Sequence, residues 1–201
     1  MKKGFCAALT GGIACGKSTV AEFWRQWGAA VLDADHVAHA LIAPGGECVE
    51  AVAREFGDRV RAVQGGIDRR ALGAIVFADT SALERLNRLL HPAVIRRMRA
   101  WADGIRRAGQ VGVAVVPLLY EAGMEKAWDA VVCVAAREET MLARLAARGL
   151  SPAAARARIA SQWPVREKMA RADRVIDNDG DRTELEKQCR AIWNDLFEQG
   201  E

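Results

Sequence analysis

The stretch LTGGIACGKSTV, residues 9–20, sets three glycines, a lysine and three hydroxyls within twelve positions at the end of a short apolar run. Gly11, Gly16, Lys17 and Ser18 satisfy the spacing GxxxxGK[ST], and the flanks are those the motif requires. Before it, Phe5 to Leu9 reads as a buried parallel strand. After it, Val20, Phe23, Trp24 and Trp27 recur at i, i+3, i+4 and i+7, the stripe of an amphipathic helix, with Gly28 placed to end it. A bare backbone lets successive N–H groups turn around a phosphate. The helix beginning near Lys17 adds its positive end, and the lysine reaches the outer phosphates. Gly11, Gly12, Ile13, Ala14, Cys15, Gly16, Lys17, Ser18 and Thr19 are therefore read as a nucleoside triphosphate loop, with Ser18 placed to ligate Mg²⁺. Cys15, beside a helix start and a lysine, invites a redox reading but serves more simply as a small loop residue.

Working outward, AAVLDAD supplies a second strand, so strand, helix and strand form a βαβ unit that predicts a parallel α/β sheet. VGVAVVPLL (111–119), DAVVCVAA (129–136) and RVIDNDG give the third, fourth and fifth strands. Between them the text is helical from about 36 to 108, where Pro92 is placed to open a long helix, and again over 138–172, with breaks at GLSP and WP. A last helix is predicted over about 182–198.

Composition bounds the function. At 201 residues and 51% hydrophobic the chain suits one core with an appendage, and 29 Lys+Arg against 26 Asp+Glu fall short of a nucleic-acid footprint. The five cysteines have neither finger nor CxxC spacing and fit a reducing cytosol. The charged start is followed by an apolar run too short for a signal core, and no run approaches the ~18 residues of a membrane span. A cytoplasmic protein acting on small molecules, without nucleic acid or membrane, is the expectation.

A phosphate loop alone does not separate switch, motor and kinase. No NKxD string is present, and Glu121 in PLLYE is an equivocal strand-end acid. LDAD is more informative, because it brings two carboxylates out at the carboxyl end of the second strand, the sheet edge where ligands bind. Asp33 could accept a proton from a substrate hydroxyl, stand in the outer shell of Mg²⁺, or cap the next helix, and Asp35 is undecided. His36 and His39 beside them could pass for a metal cluster, but carboxylates near Mg²⁺-ATP are the better use. Arg144 and Arg148, four apart on one helix face among Arg137, Arg156, Arg158, Arg166 and Arg171, are candidates to neutralise a transferred phosphoryl group. Trp24, Trp27 and Trp193 are read as core.

Taken together, LTGGIACGKSTV, VLDADHVAH, IDRRALGAIVF, LHP, VVPLLYE, RLAAR and ADRVIDNDG follow one another as in the dephospho-CoA kinases, and the chain resembles that family over nearly its whole length. The resemblance implies ATP-dependent phosphorylation of the ribose 3′-hydroxyl of dephospho-coenzyme A; Mg²⁺ with the nucleotide and a monomeric chain are the accompanying expectations. It implies a P-loop NTP-hydrolase-type three-layer fold with a five-stranded parallel sheet, a helical acceptor-binding insertion and a helical lid. The core would be 1–35, 109–137 and 173–201, the insertion about 36–108, and the lid about 138–172. It further implies Asp33 as base, Lys17 and Ser18 on phosphates and magnesium, and Arg144 and Arg148 in the lid. Arg69, His91 and Glu121 would be acceptor-side or structural, and Asn178 and Gly180 part of the adenine-side loop. The chain departs from the family pattern in three places: Ala14 stands where glycine is common and must take a glycine-like backbone, His39 replaces a common arginine, and Tyr120 replaces phenylalanine. Other P-loop kinases with a nucleotide or sugar acceptor, and a non-catalytic ATP-sensing module, remain the alternatives.

Overall fold

In the computed structural model, which describes residues 4–198, the five apolar runs form five strands: β1 (Phe5–Gly11), β2 (Ala30–Asp33), β3 (Val111–Val115), β4 (Ala130–Ala135) and β5 (Arg174–Asp177). The charged start, residues 1–3, and residues 199–201 lie outside the described residues. The strands make one sheet in the order β2-β3-β1-β4-β5, and every pairing is parallel. β4 is buried along its whole length, which is why its sequence is an unbroken apolar run rather than an alternating one. β1 runs two residues further than the apolar pattern, because Thr10 and Gly11 still pair with Cys133 and Val134. β3 stops at Val115 instead of reaching residue 119, shortly before Pro117, which has no N–H to give to a ladder.

The strand order decides where the site falls. From β1 the chain crosses to the edge at β2, returns through β3 between the two, and then builds outward on the other side through β4 and β5. The loop after β1 therefore lies at the carboxyl edge where the winding reverses direction, the crevice that open α/β sheets use for ligands.

Helix α1 (Lys17–Gln26) buries Val20, Ala21, Phe23 and Trp24 and ends at Gly28, whose φ of 104° only glycine adopts without strain. Helix α9 (Arg182–Trp193) joins it in one core cluster through Leu185, Cys189, Ile192 and Trp193. Trp24 is fully buried, and its indole N–H donates to the Cys189 carbonyl at 3.2 Å, so the ring's one polar atom is satisfied. Burial of each such side chain contributes roughly 1.5–3 kcal/mol, and Trp24→Ala would remove one of the largest.

The chain divides into two compact units, residues 34–100 and the remainder. The first of these holds α2 (Ala34–Ile42), α3 (Val49–Phe56), a 3₁₀ turn at Asp58–Val60, α4 (Arg69–Val76), and α5 (Thr80–Arg107) as far as Ala100. Asp68 caps α4 by accepting from the N–H groups of Arg70 and Ala71. Pro92 does not open a helix. It lies inside α5, which starts at Thr80 after Asp79 accepts from the Ser81 N–H and hydroxyl. The buried stripe Leu86, Leu90, Val94 and Met98 continues across the proline, so packing on both sides offsets the hydrogen bond that Pro92 cannot make.

Residues 138–172 form three helices, α6 (Glu138–Ala147), α7 (Pro152–Ala160) and α8 (Val165–Arg171), with breaks at the two places where the sequence has GLSP and WP. Ser151 caps α7 through the Ala154 N–H, with Pro152 in its first turn. Among the described residues no helix is long and apolar enough to cross a membrane, and all five cysteines are free and buried.

Candidate active site

The phosphate loop spans the end of β1 and the start of α1. Lys17 folds back over it, its ammonium donating to the Gly11 and Gly12 carbonyls at 3.1 and 2.8 Å. Ser18 is exposed on the first turn of α1, with Thr19 half-buried beside it. The helix N-terminus concentrates backbone N–H groups that have no partner within the helix, beside a lysine, and that is the chemistry of an anion cradle.

The apex of the loop is held from behind. Ala14 is the one non-glycine residue among those described with positive φ, at 59°, so the glycine-like backbone expected of it is present. Its carbonyl accepts from Arg144 Nη1 at 3.2 Å, and the neighbouring Cys15 carbonyl accepts from Asn178 Nδ2 at 2.7 Å. Arg144 Nη2 also donates to the Asn178 carbonyl at 2.8 Å, which closes the triangle. A Cβ at Gly16 would overlap Asn178 Nδ2, so this position requires glycine both for its φ of 99° and for space. Ile13 and Ala14 pack against Leu142, Leu145 and Ala155 of α6 and α7. Asn178, only 6% exposed, thus has its side-chain amide turned to the loop backbone. Cys15 is fully buried with its thiol on Met141 Sδ at 3.5 Å, and burial raises its pKa despite the pull of Lys17. A protonated, inaccessible thiol gives the redox reading no support.

Asp33 closes β2, in register with Val115, which itself pairs with Leu9 of β1. The half-buried carboxylate therefore emerges at the same edge as the phosphate loop, two strand spacings or roughly 10 Å across. Asp35 is exposed in the first turn of α2. Arg148 terminates α6 and is exposed. With Ala14, Gly16, Ser18, Thr19, Arg144, Asn178, Gly180 and Arg182 it lines a cleft of about 300 Å³. A larger cleft of about 820 Å³, bordered by Met141, Ile159, Val165 and Met169, includes no residue of the phosphate loop, whereas the smaller one includes Ala14, Gly16, Ser18 and Thr19; Asp33 lines neither of the two.

Glu121 lies in the segment after β3, where Oε1 accepts from Lys168 Nζ at 2.7 Å and from the Trp163 N–H at 3.0 Å. Tyr120 stacks on Trp163 with centroids 6.2 Å apart. Arg69 is the exposed first residue of α4, and His91 is half-buried in α5. Both belong to the unit 34–100. Sequence reasoning missed Lys168, which sits in a charge-rich helix that reads as a solvated face yet is fully buried. It also missed Asp179. Burial works to raise that carboxylate's pKa, but bonds from the Thr140 hydroxyl at 2.7 Å and the Arg137 N–H, with the Arg137 charge, hold it below the usual range.

A phosphate loop at the reversal point of a parallel sheet, a carboxylate at the end of the edge strand β2 and guanidinium groups at the loop's flank define a P-loop phosphotransferase for small molecules. Residues 5–184 match the sequence model of the family described as dephospho-CoA kinase. The dephospho-CoA kinase of Symbiobacterium thermophilum is 47% identical over 187 residues, 92% of this chain and 78% of the relative. A crystal structure of a Thermus thermophilus protein superposes with TM-score 0.80 at 35% identity, covering 97% of this chain and 99% of the other. Dephospho-CoA kinase from Campylobacter jejuni superposes with TM-score 0.68 at 26% identity, covering 95% and 96%. The chain belongs to the dephospho-CoA kinase family.

Proposed function

We propose that this chain transfers the γ-phosphoryl group of ATP to the ribose 3′-hydroxyl of dephospho-coenzyme A, giving coenzyme A and ADP, as the last step of coenzyme A synthesis. The observation that carries this reading is the placement of Asp33 on the carboxyl edge it shares with the phosphate loop, in a chain of this family. In the reaction the acceptor oxygen bonds to the γ-phosphorus while the bond to the β-bridging oxygen breaks. Asp33 takes the hydroxyl proton.

Lys17, folded over the loop, turns its ammonium from the Gly11 and Gly12 carbonyls to the β and γ oxygens, and the α1 N-terminus stabilises charge on the same side. Arg148, exposed at the cleft, is the guanidinium that meets the transferred group. Arg144 acts from behind, with Asn178, by fixing the loop backbone. The exposed hydroxyl of Ser18 suits Mg²⁺ held with the nucleotide, which when bound neutralises charge on the phosphates. The helical region 36–108, with Arg69 and His91, serves the acceptor, and closure within the segment of about 138–172 excludes water. All of this takes place in the cytoplasm.

The test is coupled ADP release with Mg-ATP, comparing no acceptor, dephospho-CoA, nucleoside monophosphates and small sugars, with the product phosphate located by mass spectrometry. Strong stimulation by dephospho-CoA with a 3′-phosphate product is expected. Preference for a nucleotide or sugar, or ATP binding without any transfer, would overturn the reading.

A further inference from the structure

Helix α8 carries a cation for which the chemistry above has no use. Lys168 is fully buried, and its ammonium donates to the Pro117 carbonyl at 2.8 Å and to Glu121 Oε1 at 2.7 Å. The Pro117 carbonyl also receives the hydroxyl of Thr10 at 3.4 Å, and Thr10 is the residue immediately before Gly11 of the phosphate loop. Glu121 Oε1 accepts in addition the backbone N–H of Trp163, at the entry to α8. One ammonium thus ties together the end of β1, the segment that follows β3, and the base of the arginine-rich helices.

Stability alone does not account for this arrangement. A buried ion pair is often no more stabilising than a well-packed apolar pair of the same volume, because two charges must be taken out of water. Here the pairing is also incomplete, since Glu121 Oε2 and the Tyr120 hydroxyl are buried without partners among the described residues. What an ion pair provides that apolar packing does not is direction: a carbonyl, a carboxylate oxygen and an amide N–H are fixed around one point.

We propose that Lys168 is a positioning residue for phosphoryl transfer, one that sets the Pro117–Glu121 segment against the end of β1 and thereby shapes the acceptor side of the site. The proposal rests on the kinase reading above. It also places α8 with the fixed core rather than with a closing segment.

The experiment uses the full chain as Lys168→Met, Glu121→Gln and the double variant, each measured for melting temperature, both KM values, kcat, and hydrogen exchange over residues 163–171. Lys168→Met leaves a buried carboxylate uncompensated. Its melting temperature should fall, the KM for dephospho-CoA should rise at least tenfold, and the KM for ATP should stay within twofold. The double variant, which has no uncompensated charge, should regain most of the melting temperature while keeping the raised acceptor KM. If it regains both, the pair is only structural and the proposal is wrong; equal losses toward ATP and acceptor sink it as well. Should Lys168→Met not fold, the double variant carries the same comparison. A wild-type chain with no dephospho-CoA-dependent ADP release overturns the kinase reading instead. In that case exchange at the Trp163 amide, protected in the wild type and faster in Lys168→Met, still decides whether Lys168 and Glu121 hold the entry to α8.

Discussion

Arg144 reaches across 130 residues of sequence to hold the carbonyl oxygen of Ala14 at 3.2 Å, at the position where the loop backbone turns into the left-handed region. For an L-residue that conformation costs about 1–2 kcal/mol, so the loop needs a contact that keeps it there. Arg144→Ala should lower kcat/KM for ATP by roughly tenfold to a hundredfold, and adding Ala14→Gly should restore most of it, because glycine takes the same φ unaided. Steady-state kinetics on the two single variants and the double variant decide the matter. An arginine whose task is to touch the transferred phosphate would show no rescue.

Asp33 carries a different expectation. Asp33→Asn keeps the shape of the strand end and removes the proton acceptor, so kcat should fall by about 10²–10⁴. ATP affinity by calorimetric titration should stay nearly unchanged, since the phosphate loop lies two strands away. A variant with normal turnover and only a lowered melting temperature would mark Asp33 as the cap of α2.

These two residues show what the sequence makes legible. The phosphate loop could be read because its chemistry is local: the glycines, the lysine and the hydroxyl must be neighbours to surround one phosphate. Asp33 was visible for a related reason, as it follows an apolar run that can only be a strand. The partners of Ala14 and Cys15 could not be read, because Arg144 and Asn178 lie 130 and 163 residues further along the chain and no local period links them to the loop. Lys168 was hidden in a stretch, VREKMARAD, whose charges look like a solvated surface, and only the tertiary fold buries one of them. The start of α5 was misplaced for the opposite reason. Pro92 is a strong local signal, and the apolar stripe on either side overrode it.

Tyr120 permits a gain in stability. Its hydroxyl is buried with no partner among the described residues, and burial pushes its pKa up to about 12, so the group is neutral and unsatisfied at working pH. Tyr120→Phe keeps the ring stacked on Trp163 and removes the stranded oxygen. Stability should rise by about 1 kcal/mol, or about 2–4 °C in melting temperature for a chain of this size, with kcat within twofold of the original. A fall in stability on calorimetric melting would show that the hydroxyl has a partner that matters.

His91 sets a pH limit on the fold. Half-buried in α5, it has its pKa lowered from the ordinary value of 6.5 because burial disfavours the imidazolium. Above pH 6.5 the ring is neutral in both the folded and unfolded chains and contributes no slope. As pH falls through 6.5 toward the lower folded value, the unfolded chain binds a proton that the folded one refuses, and stability is lost across that window. Carboxylates elsewhere titrate further down, so the diagnostic quantity is the difference between the wild type and His91→Gln, which cannot take up that proton. The wild-type melting temperature should drop more steeply than the variant's as pH falls below 6.5, and the two profiles should run parallel above pH 7. Parallel profiles throughout would mean that His91 is as free to protonate in the fold as in water.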